Sequence, residues 1–348
     1  MKKYLLFLTA IFLISSALPT NSSDIFIGTC VYKFNDTHLT EIRKSMQEEI
    51  RLQGGEIVFS DGESSQPLQQ DQIDGYITKG VDALIIVPIG STAEYSIEKA
   101  KPEDIPVVIV NREPDPEILK TYDKVWYVGS HAEDSGIQSG QILVDYFKSH
   151  PEADKNRDGK IQYIMLCGEL GHQDTTIRTE YSVKALKDAG FELEELGREV
   201  ADWEKVKGFD KMKGFISSFG VENIEAVIAN NDDMALGAIE ALKAEGYNLG
   251  DDSKFIPVVG VDATAPALES MEKGELLGTV LNDAYNQGVA AVRIAMNAAD
   301  GKEINKETIG YEVTDGKYIW IPYRKVTVEN LKKFILNKDL MLKPREVF

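Results

Sequence analysis

Short apolar runs alternate with amphipathic stretches of helical period along most of the chain. The amphipathic stretches predict helices at about 38–53, 68–79, 92–101 and 135–149. The apolar runs predict strands at 25–31, 56–59, 83–87, 107–110, 126–128, 161–167, 226–229, 258–261 and 278–281, with more near Tyr311 and Tyr318. Strands this apolar are buried on both faces, as in parallel sheets covered by helices. They are too many for one ordinary sheet, so the pattern predicts an α/β fold of two doubly wound, Rossmann-like lobes.

The first 23 residues have the pattern of a secretory signal peptide. Two lysines precede the apolar run 4–14, and small and polar residues follow at 15–23. The run is shorter than the roughly 18–20 apolar residues of a membrane helix. We expect cleavage between Ala17 and Asp24 and a periplasmic mature protein, or one tethered to the membrane if the signal is kept.

The composition is that of a globular protein with a substantial core. Of the 348 residues, 43% are hydrophobic and 27% are charged, and the formal net charge is −19. A negative charge of this size repels phosphate backbones, which argues against nucleic-acid binding. Cys30 and Cys167 lie in two separate apolar runs, so we expect two free thiols.

Polar side chains follow six of the predicted strands, at the sheet edge where open parallel sheets bind ligands. One or two of them would be ordinary helix caps. Six favour a polar, uncharged ligand rich in hydroxyls, because carboxylates accept hydrogen bonds and amides both donate and accept. No glycine-rich phosphate loop occurs. The residues are Asp36, Asn111, His172, Asp174, Asn231, Asp262 and Asn282.

Trp203 is an isolated tryptophan in the polar segment 201–204. It would provide a flat apolar surface for the C–H face of a sugar ring. The alternative is a core or surface tryptophan without a ligand.

The segment from Asp154 to Gln162 has the spacing of the first nine positions of an EF-hand calcium loop. Oxygen ligands fall at loop positions 1, 3, 5 and 9, the carbonyl of Lys160 is available at position 7, and Gly159 occupies position 6. Met165 stands at position 12, where such loops carry a glutamate, so a calcium site here needs a carboxylate from elsewhere. The alternative is a solvated acidic turn.

The order and spacing of these motifs resemble those of the periplasmic galactose/glucose-binding proteins, the solute receptors of bacterial ABC sugar importers. The resemblance runs from about Asp24 to about Val326. It rests on Arg178 and on the segments 31–36, 72–74, 106–114, 127–130, 154–162, 168–174, 228–235, 259–263 and 278–283.

The resemblance implies the type I periplasmic binding protein fold, with a sugar enclosed between two lobes. One lobe would comprise residues 24–130 plus 283–319, and the other residues 131–282 plus 320–348. Three crossings would join them, near 129–130, 282–283 and 318–322.

The resemblance also implies a D-glucose or D-galactose site and a structural Ca²⁺ ion. The sugar site would consist of Asp36, Asn111, His172, Asp174, Arg178, Asn231, Asp262 and Asn282, with Trp203 stacking on the sugar. The calcium ligands would be Asp154, Asn156, Asp158, Lys160 through its carbonyl, Gln162 and Glu225, which matches the family's distant bidentate carboxylate.

His38 departs from the family pattern. The family has an aromatic residue two positions after the aspartate of the first motif, where it sandwiches the sugar against the tryptophan. His38 occupies that position here. A histidine can still stack, but it offers less area and adds a titratable ring. We count His38 among the sugar-binding residues. The alternative is a helix N-terminal residue that points elsewhere.

These features predict a monomeric receptor and not an enzyme. Its lobes would close on a monosaccharide, and the closed form would deliver it to an ABC permease. A chemoreceptor partner is an alternative. An enzyme acting in the cleft would need a nucleophile or an acid–base pair. Only Asp174, near His172 and Arg178, resembles such a pair. A sugar-responsive repressor would need a DNA-binding helix pair where the signal peptide stands.

Overall fold

A computed structural model describes residues 25–336. The predicted signal peptide lies outside the described residues, as do residues 337–348. Strands and helices alternate through the described part, and ten of the twelve strands form two separate parallel sheets. This confirms the prediction of two α/β lobes.

The elements of the first half of the chain follow one another as expected from the hydrophobic pattern. They are β1 (Phe26–Val31), α1 (Thr37–Gln53), β2 (Glu56–Asp61), α2 (Gln66–Thr78), β3 (Ala83–Ile86), α3 (Thr92–Ala100), β4 (Val107–Val110), α4 (Pro116–Leu119), β5 (Val125–Gly129), α5 (Ala132–Ser149) and β6 (Lys160–Cys167).

The second half continues the same alternation. Its elements are α6 (Gln173–Asp188), β7 (Glu192–Val200), α7 (Lys205–Phe219), β8 (Ala226–Ala229), α8 (Asp232–Ala244), β9 (Val258–Val259), α9 (Ala265–Glu272), β10 (Thr279–Leu281), α10 (Ala284–Ala299), α11 (Lys306–Ile309), β11 (Tyr318–Trp320), β12 (Arg324–Val326) and α12 (Leu331–Leu336).

The first lobe is built on a six-stranded parallel sheet with the spatial order β11-β5-β4-β3-β1-β2. One apolar core lies between this sheet and the helices α1 and α10, and a second lies beneath α2 and α3. Helices α1 and α10 pack closely because Gly288 lacks a side chain. A Cβ atom there would lie 1.9 Å from Oγ of Ser45.

The second lobe is built on a four-stranded parallel sheet with the order β7-β6-β8-β9. Strand β10 continues the sheet beyond β9 through isolated parallel bridges and pairs with β12 in antiparallel orientation. Helices α5 and α6 cover one face of this sheet, and α7, α8 and α9 cover the other. Each lobe is thus a helix–sheet–helix sandwich with two buried faces.

The chain passes between the two sheets three times. It leaves the first sheet after Gly129, returns to the first lobe between Leu281 and Ala284, and enters the second lobe for the last time between Trp320 and Arg324. Because all the strands of each sheet are parallel, their carboxyl ends lie at one edge of that sheet.

Three details differ from the sequence prediction. Strand β12, a short strand of half-buried polar residues followed by Val326, was not predicted. Strand β7 was not predicted, because it is an edge strand whose acidic, largely half-exposed residues lack the apolar run that marks the central strands. The strand expected near Tyr311 is wrong. Tyr311 lies in no strand, and its hydroxyl instead donates a hydrogen bond to Oδ1 of Asn286, at 2.7 Å, within the first core.

Cys30 and Cys167 are both buried and free, as predicted. They belong to different sheets, which keeps the thiols apart. Among residues 25–336, no helix is long and apolar enough to cross a membrane.

Candidate functional site

A small cavity lies between the lobes, at the carboxyl ends of the parallel strands. About 40 Å³ of it is open to the centre of a water-sized sphere, several times the roughly 10–15 Å³ needed to hold one water molecule. The structure brings all ten of the predicted sugar-site residues to its surface: Asp36, His38, Asn111, His172, Asp174, Arg178, Trp203, Asn231, Asp262 and Asn282. Tyr32, Leu39 and Arg112, which are not among the predicted residues, line it as well.

Three of these residues also cap helices. Oδ1 of Asp36 accepts a hydrogen bond from the backbone N–H of Leu39 at the start of α1, at 2.8 Å. Oδ1 of Asn231 accepts one from Met234 at the start of α8, at 3.0 Å. A cap uses one polar atom, so the rest of the side chain stays available to the cavity. Capping and lining the cavity are therefore compatible roles here.

His172 caps α6 through its ring. Its Nδ1 accepts a hydrogen bond from the backbone N–H of Asp174, at 3.1 Å. Burial, and after it the nearby Arg112 guanidinium, lower the pKa of His172 to about 4. The neutral ring therefore carries its proton on Nε2, which makes that atom a hydrogen-bond donor.

Arg178 is the buried cation of the site, with 5% of its surface exposed. Its guanidinium donates hydrogen bonds to the carbonyl of Asn230, to Oδ2 of Asp174 and to the hydroxyl of Tyr323, each at 2.9 Å. Burial opposes the charge, but Tyr323, Asp174 and Asp262 outweigh it, and the net effect raises the pKa of Arg178. Its Nε is buried without a hydrogen-bond partner among the described residues. Arg178 is therefore a fixed positive charge at the inner surface of the cavity.

Asp262 receives a hydrogen bond from Nδ2 of Asn282 at 3.3 Å, and Nε2 of Gln287 holds Oδ1 of Asn282 at 2.6 Å. Burial raises the pKa of Asp262 to about 8. Arg178 opposes this effect, and Asp36 adds to it. The two side-chain amides thus fix the carboxyl group in a buried part of the cavity, where polar groups need hydrogen-bond partners.

Five of the eleven non-glycine residues with positive φ angles among residues 25–336 lie at or beside the cavity. Asn111, Asp202, Trp203, Asp262 and Ala263 all have positive φ angles, from 49° to 123°. Residues other than glycine adopt such angles at a cost, and they do so most often where a functional group has to be aimed. The strain therefore marks three stretches that present side chains to the cavity.

The indole of Trp203 forms one side of the cavity and is 8% exposed. Its ring meets the edge of His172, with centroids 5.2 Å apart and planes at 74°. Gly168 makes room for it, since a Cβ atom there would lie 2.2 Å from the indole carbons. Trp203 thus has a defined position in the cavity wall and is not exposed on the outside of the protein.

Side chains from the two lobes meet around the cavity. Oγ1 of Thr37 donates a hydrogen bond to Oδ2 of Asp233 at 2.7 Å, and Nζ of Lys33 lies 3.4 Å from Oε1 of Glu204. The lobes are therefore in contact across the cavity, which is a closed arrangement.

Arg112 makes a third contact between the lobes. Its guanidinium lies 2.8 Å from Oε2 of Glu169 and stacks 4.0 Å above the ring of Tyr32. The sequence contains one indication that Arg112 lies at the cavity, because this residue directly follows Asn111 at the end of a strand. Its partner Glu169 is remote in sequence and becomes its neighbour only when the lobes meet.

The predicted calcium loop folds as a turn held by its own side chains. Oδ1 and Oδ2 of Asp154 accept backbone hydrogen bonds from Asp158 and Gly159, and Oδ1 of Asp158 accepts one from Lys160. Gly159 has a φ of 83°, which glycine adopts without strain. The loop is thus a compact turn stabilised by its own carboxylates.

Glu225 lies beside this loop, although it is remote in sequence. Its carboxylate accepts hydrogen bonds from the backbone N–H of Lys155 and Gln162, at 2.6 and 3.1 Å, and burial raises its pKa. Oε1 of Gln162 is buried and has no hydrogen-bond partner among the described residues, as fits an oxygen that binds a cation. Among residues 25–336, however, no three His, Cys, Asp or Glu side chains gather closely enough to hold a metal ion.

Comparison with known proteins places this architecture in a family. The sequence profile described as a periplasmic binding protein domain matches residues 27–303. The chain is 38% identical over 339 residues to the D-galactose/methyl-galactoside binding periplasmic protein MglB of Haemophilus influenzae, covering 96% of this chain and 100% of that protein. It is 34% identical to a putative rhizopine-binding protein of Rhizobium meliloti, covering 96% of this chain and 99% of that protein.

A solved structure shows the same likeness. The ABC transporter solute binding protein of Bacillus halodurans, with bound myo-inositol, matches with a TM-score of 0.75 and 30% identity. The match covers 90% of this chain and 98% of that one.

Proposed function

Because this chain belongs to the family of periplasmic binding proteins, we propose that it captures D-galactose or D-glucose between its lobes and delivers the sugar to an ABC importer. The family consists of solute-binding proteins and not of enzymes, and membership implies an extracytoplasmic location. Sugar binding and an ABC transporter partner hold for the family. The choice of hexose and the residue roles below are the proposal.

The convergence of ten predicted side chains on one cavity carries the proposal. Carboxylates, amides, two arginines and two neutral histidines surround a space beside an indole face. Such a surface provides both acceptors and donors, which is what a ligand covered with hydroxyls needs. A buried polar group without a partner is costly, so the cavity favours a solute whose hydroxyl pattern pairs with its groups.

The two lobes contribute different parts of the site. Asp36 and Asn111 come from the first lobe, whereas Asp174 and Trp203 come from the second. A sugar that contacts both lobes favours the closed arrangement over the open one, because only a difference in affinity shifts such an equilibrium. The closed form is then the species that a transporter distinguishes from the empty receptor.

Titration calorimetry with D-galactose, D-glucose, D-ribose and myo-inositol tests the proposal. We expect one of the two hexoses to bind most tightly. Asp174→Asn is the matched variant, since it keeps the side-chain shape but weakens the pairing with Arg178. Tighter binding of myo-inositol or ribose would overturn the assignment of the hexose. No heat with any sugar at millimolar concentration would overturn the sugar-receptor assignment.

We further propose that the loop 154–162 binds Ca²⁺ through Asp154, Asn156, Asp158, Gln162 and the Lys160 carbonyl, together with Glu225. The ion would neutralise the carboxylates and fasten the loop to the start of β8. The unpaired Oε1 of Gln162 and the burial of Glu225 support this site.

Thermal unfolding tests the calcium proposal without a sugar. A ligand that binds only the folded state stabilises it by mass action, so millimolar Ca²⁺ should raise the Tm and EGTA should reverse the rise. Glu225→Gln should abolish the response. A Tm that is indifferent to Ca²⁺ would identify the loop as a solvated acidic turn.

A further inference from the structure

His38 brings an unsatisfied polar atom to the cavity. The residue is 8% exposed, and its buried Nε2 has no hydrogen-bond partner among the described residues. The other ring nitrogen, Nδ1, lies 3.8 Å from Oδ1 of Asp262, beyond hydrogen-bond distance. Burying a polar atom without a partner destabilises a fold. The described residues therefore provide no hydrogen-bond partner for the polar edge of this ring.

The ring is neutral at physiological pH, because burial lowers the pKa of His38 to about 4 despite the opposing charge of Asp36. A neutral imidazole has one N–H group and one lone pair, so Nε2 donates in one tautomer and accepts in the other. In His172 the backbone N–H of Asp174 selects the tautomer. No hydrogen bond from the described residues selects it in His38, so a ligand is free to do so.

His38 is held on a rigid element. It is the second residue of α1, directly before Leu39, whose backbone N–H donates to the capping Asp36, and α1 packs on α10 in the first core. Its neighbour Asp262 belongs to the second lobe and is held by Asn282. A ring at this position therefore faces the cavity with little freedom, as a residue that determines specificity must.

We propose that Nε2 of His38 hydrogen bonds a hydroxyl group of the bound sugar, and that this contact makes His38 a specificity-determining residue. The proposal rests on the proposed function and refines it. A phenyl or phenol ring at this position selects a sugar by the shape and polarity of its flat face. The imidazole edge adds a requirement for one particular hydroxyl, because an analogue that lacks it leaves Nε2 unpaired.

Calorimetry with deoxy sugars tests the proposal. Wild type and His38→Phe are titrated with D-galactose, D-glucose and their 2-, 3-, 4- and 6-deoxy derivatives. We expect His38→Phe to weaken binding of the preferred parent sugar by about tenfold or more. For the single deoxy sugar that lacks the contacted hydroxyl, the two proteins should bind equally well. His150→Phe is the matched control, since His150 is an exposed histidine stacked on Tyr146 in the second lobe.

The outcomes distinguish a failure of the His38 hydrogen bond from a failure of the proposed sugar-receptor function. If His38→Phe changes the affinity for every deoxy sugar by the same factor, or tightens the binding of all of them, His38 acts through stacking and the proposal is overturned. If wild type binds none of these sugars, the proposed function itself fails.

A measurement on the wild type covers the case in which His38→Phe does not fold. The ¹⁵N chemical shift of Nε2 in His38 should move on titration with the parent sugar, as one tautomer becomes fixed. It should stay unchanged with the deoxy sugar that lacks the contact. An Nε2 shift that responds identically to both sugars would overturn the proposal.

Discussion

Replacing Gly168 by alanine should damage the sugar site through Trp203, although Gly168 itself does not line the cavity. Gly168 follows β6, and its missing side chain leaves the space that the indole occupies. The added Cβ would lie 2.2 Å from two carbons of that ring. Carbon atoms normally approach to about 3.5–4.0 Å, so the ring has to move by more than about 1 Å or the backbone has to yield.

The size of the effect follows from this overlap. Forcing one extra carbon into a packed core typically costs about 1–3 kcal/mol of unfolding free energy. Part of the overlap will be relieved by displacing the indole toward the cavity, where we propose that it stacks on the sugar. We therefore expect Gly168→Ala to lower the Tm by several degrees and to weaken hexose binding by about tenfold.

A double-mutant cycle identifies the cause. Thermal unfolding and titration calorimetry are run on Gly168→Ala, Trp203→Ala and the double variant. If the indole is the obstacle, Gly168→Ala should have almost no effect in the Trp203→Ala background. Gly214→Ala is the control, because Gly214 lies in α7 with open space around its Cα. Unchanged affinity and Tm in Gly168→Ala, or additive effects in the double variant, would refute the reasoning.

Three further predictions concern single side chains. Trp203→Ala removes the proposed stacking surface and should weaken sugar binding by roughly tenfold or more in calorimetry; an unchanged affinity would remove Trp203 from the site. His38 has a pKa of about 4 in the folded protein against an ordinary 6.5, so its neutral form contributes stability above pH 6.5 that is lost as the pH falls toward 4. His38→Phe should therefore lose less stability than wild type over that interval in thermal unfolding, and an equal loss would contradict the assigned pKa. Arg112→Ala breaks the contact with the partly exposed Glu169 across the cleft. Stopped-flow kinetics should therefore show that the sugar is released a few times faster, and adding Glu169→Gln should cause no further change in the release rate. Additive effects of the two substitutions would show that the side chains act separately.

Much of the candidate site was predictable because parallel sheets place the carboxyl ends of their strands together. Polar residues after apolar runs are visible in the sequence, and Asp36, Asn111 and Asn231 indeed meet in one cavity. The predictions that failed lacked this kind of signal. Strand β7 is an acidic edge strand, and the aromatic Tyr311 packs into a core without belonging to a strand.

The two α/β lobes, the free thiols and the set of polar residues at the strand ends can all be predicted from the amino-acid pattern. These properties depend on local periodicity and on which residues avoid water. The way in which the lobes meet emerges only when the chain is folded, and with it the pairing of Arg112 with Glu169 and of Thr37 with Asp233. Folding also leaves Nε2 of His38 without a partner among the described residues. The physical reason is that hydrogen bonding and desolvation depend on atoms brought together from remote parts of the chain, whose relative positions no local pattern encodes.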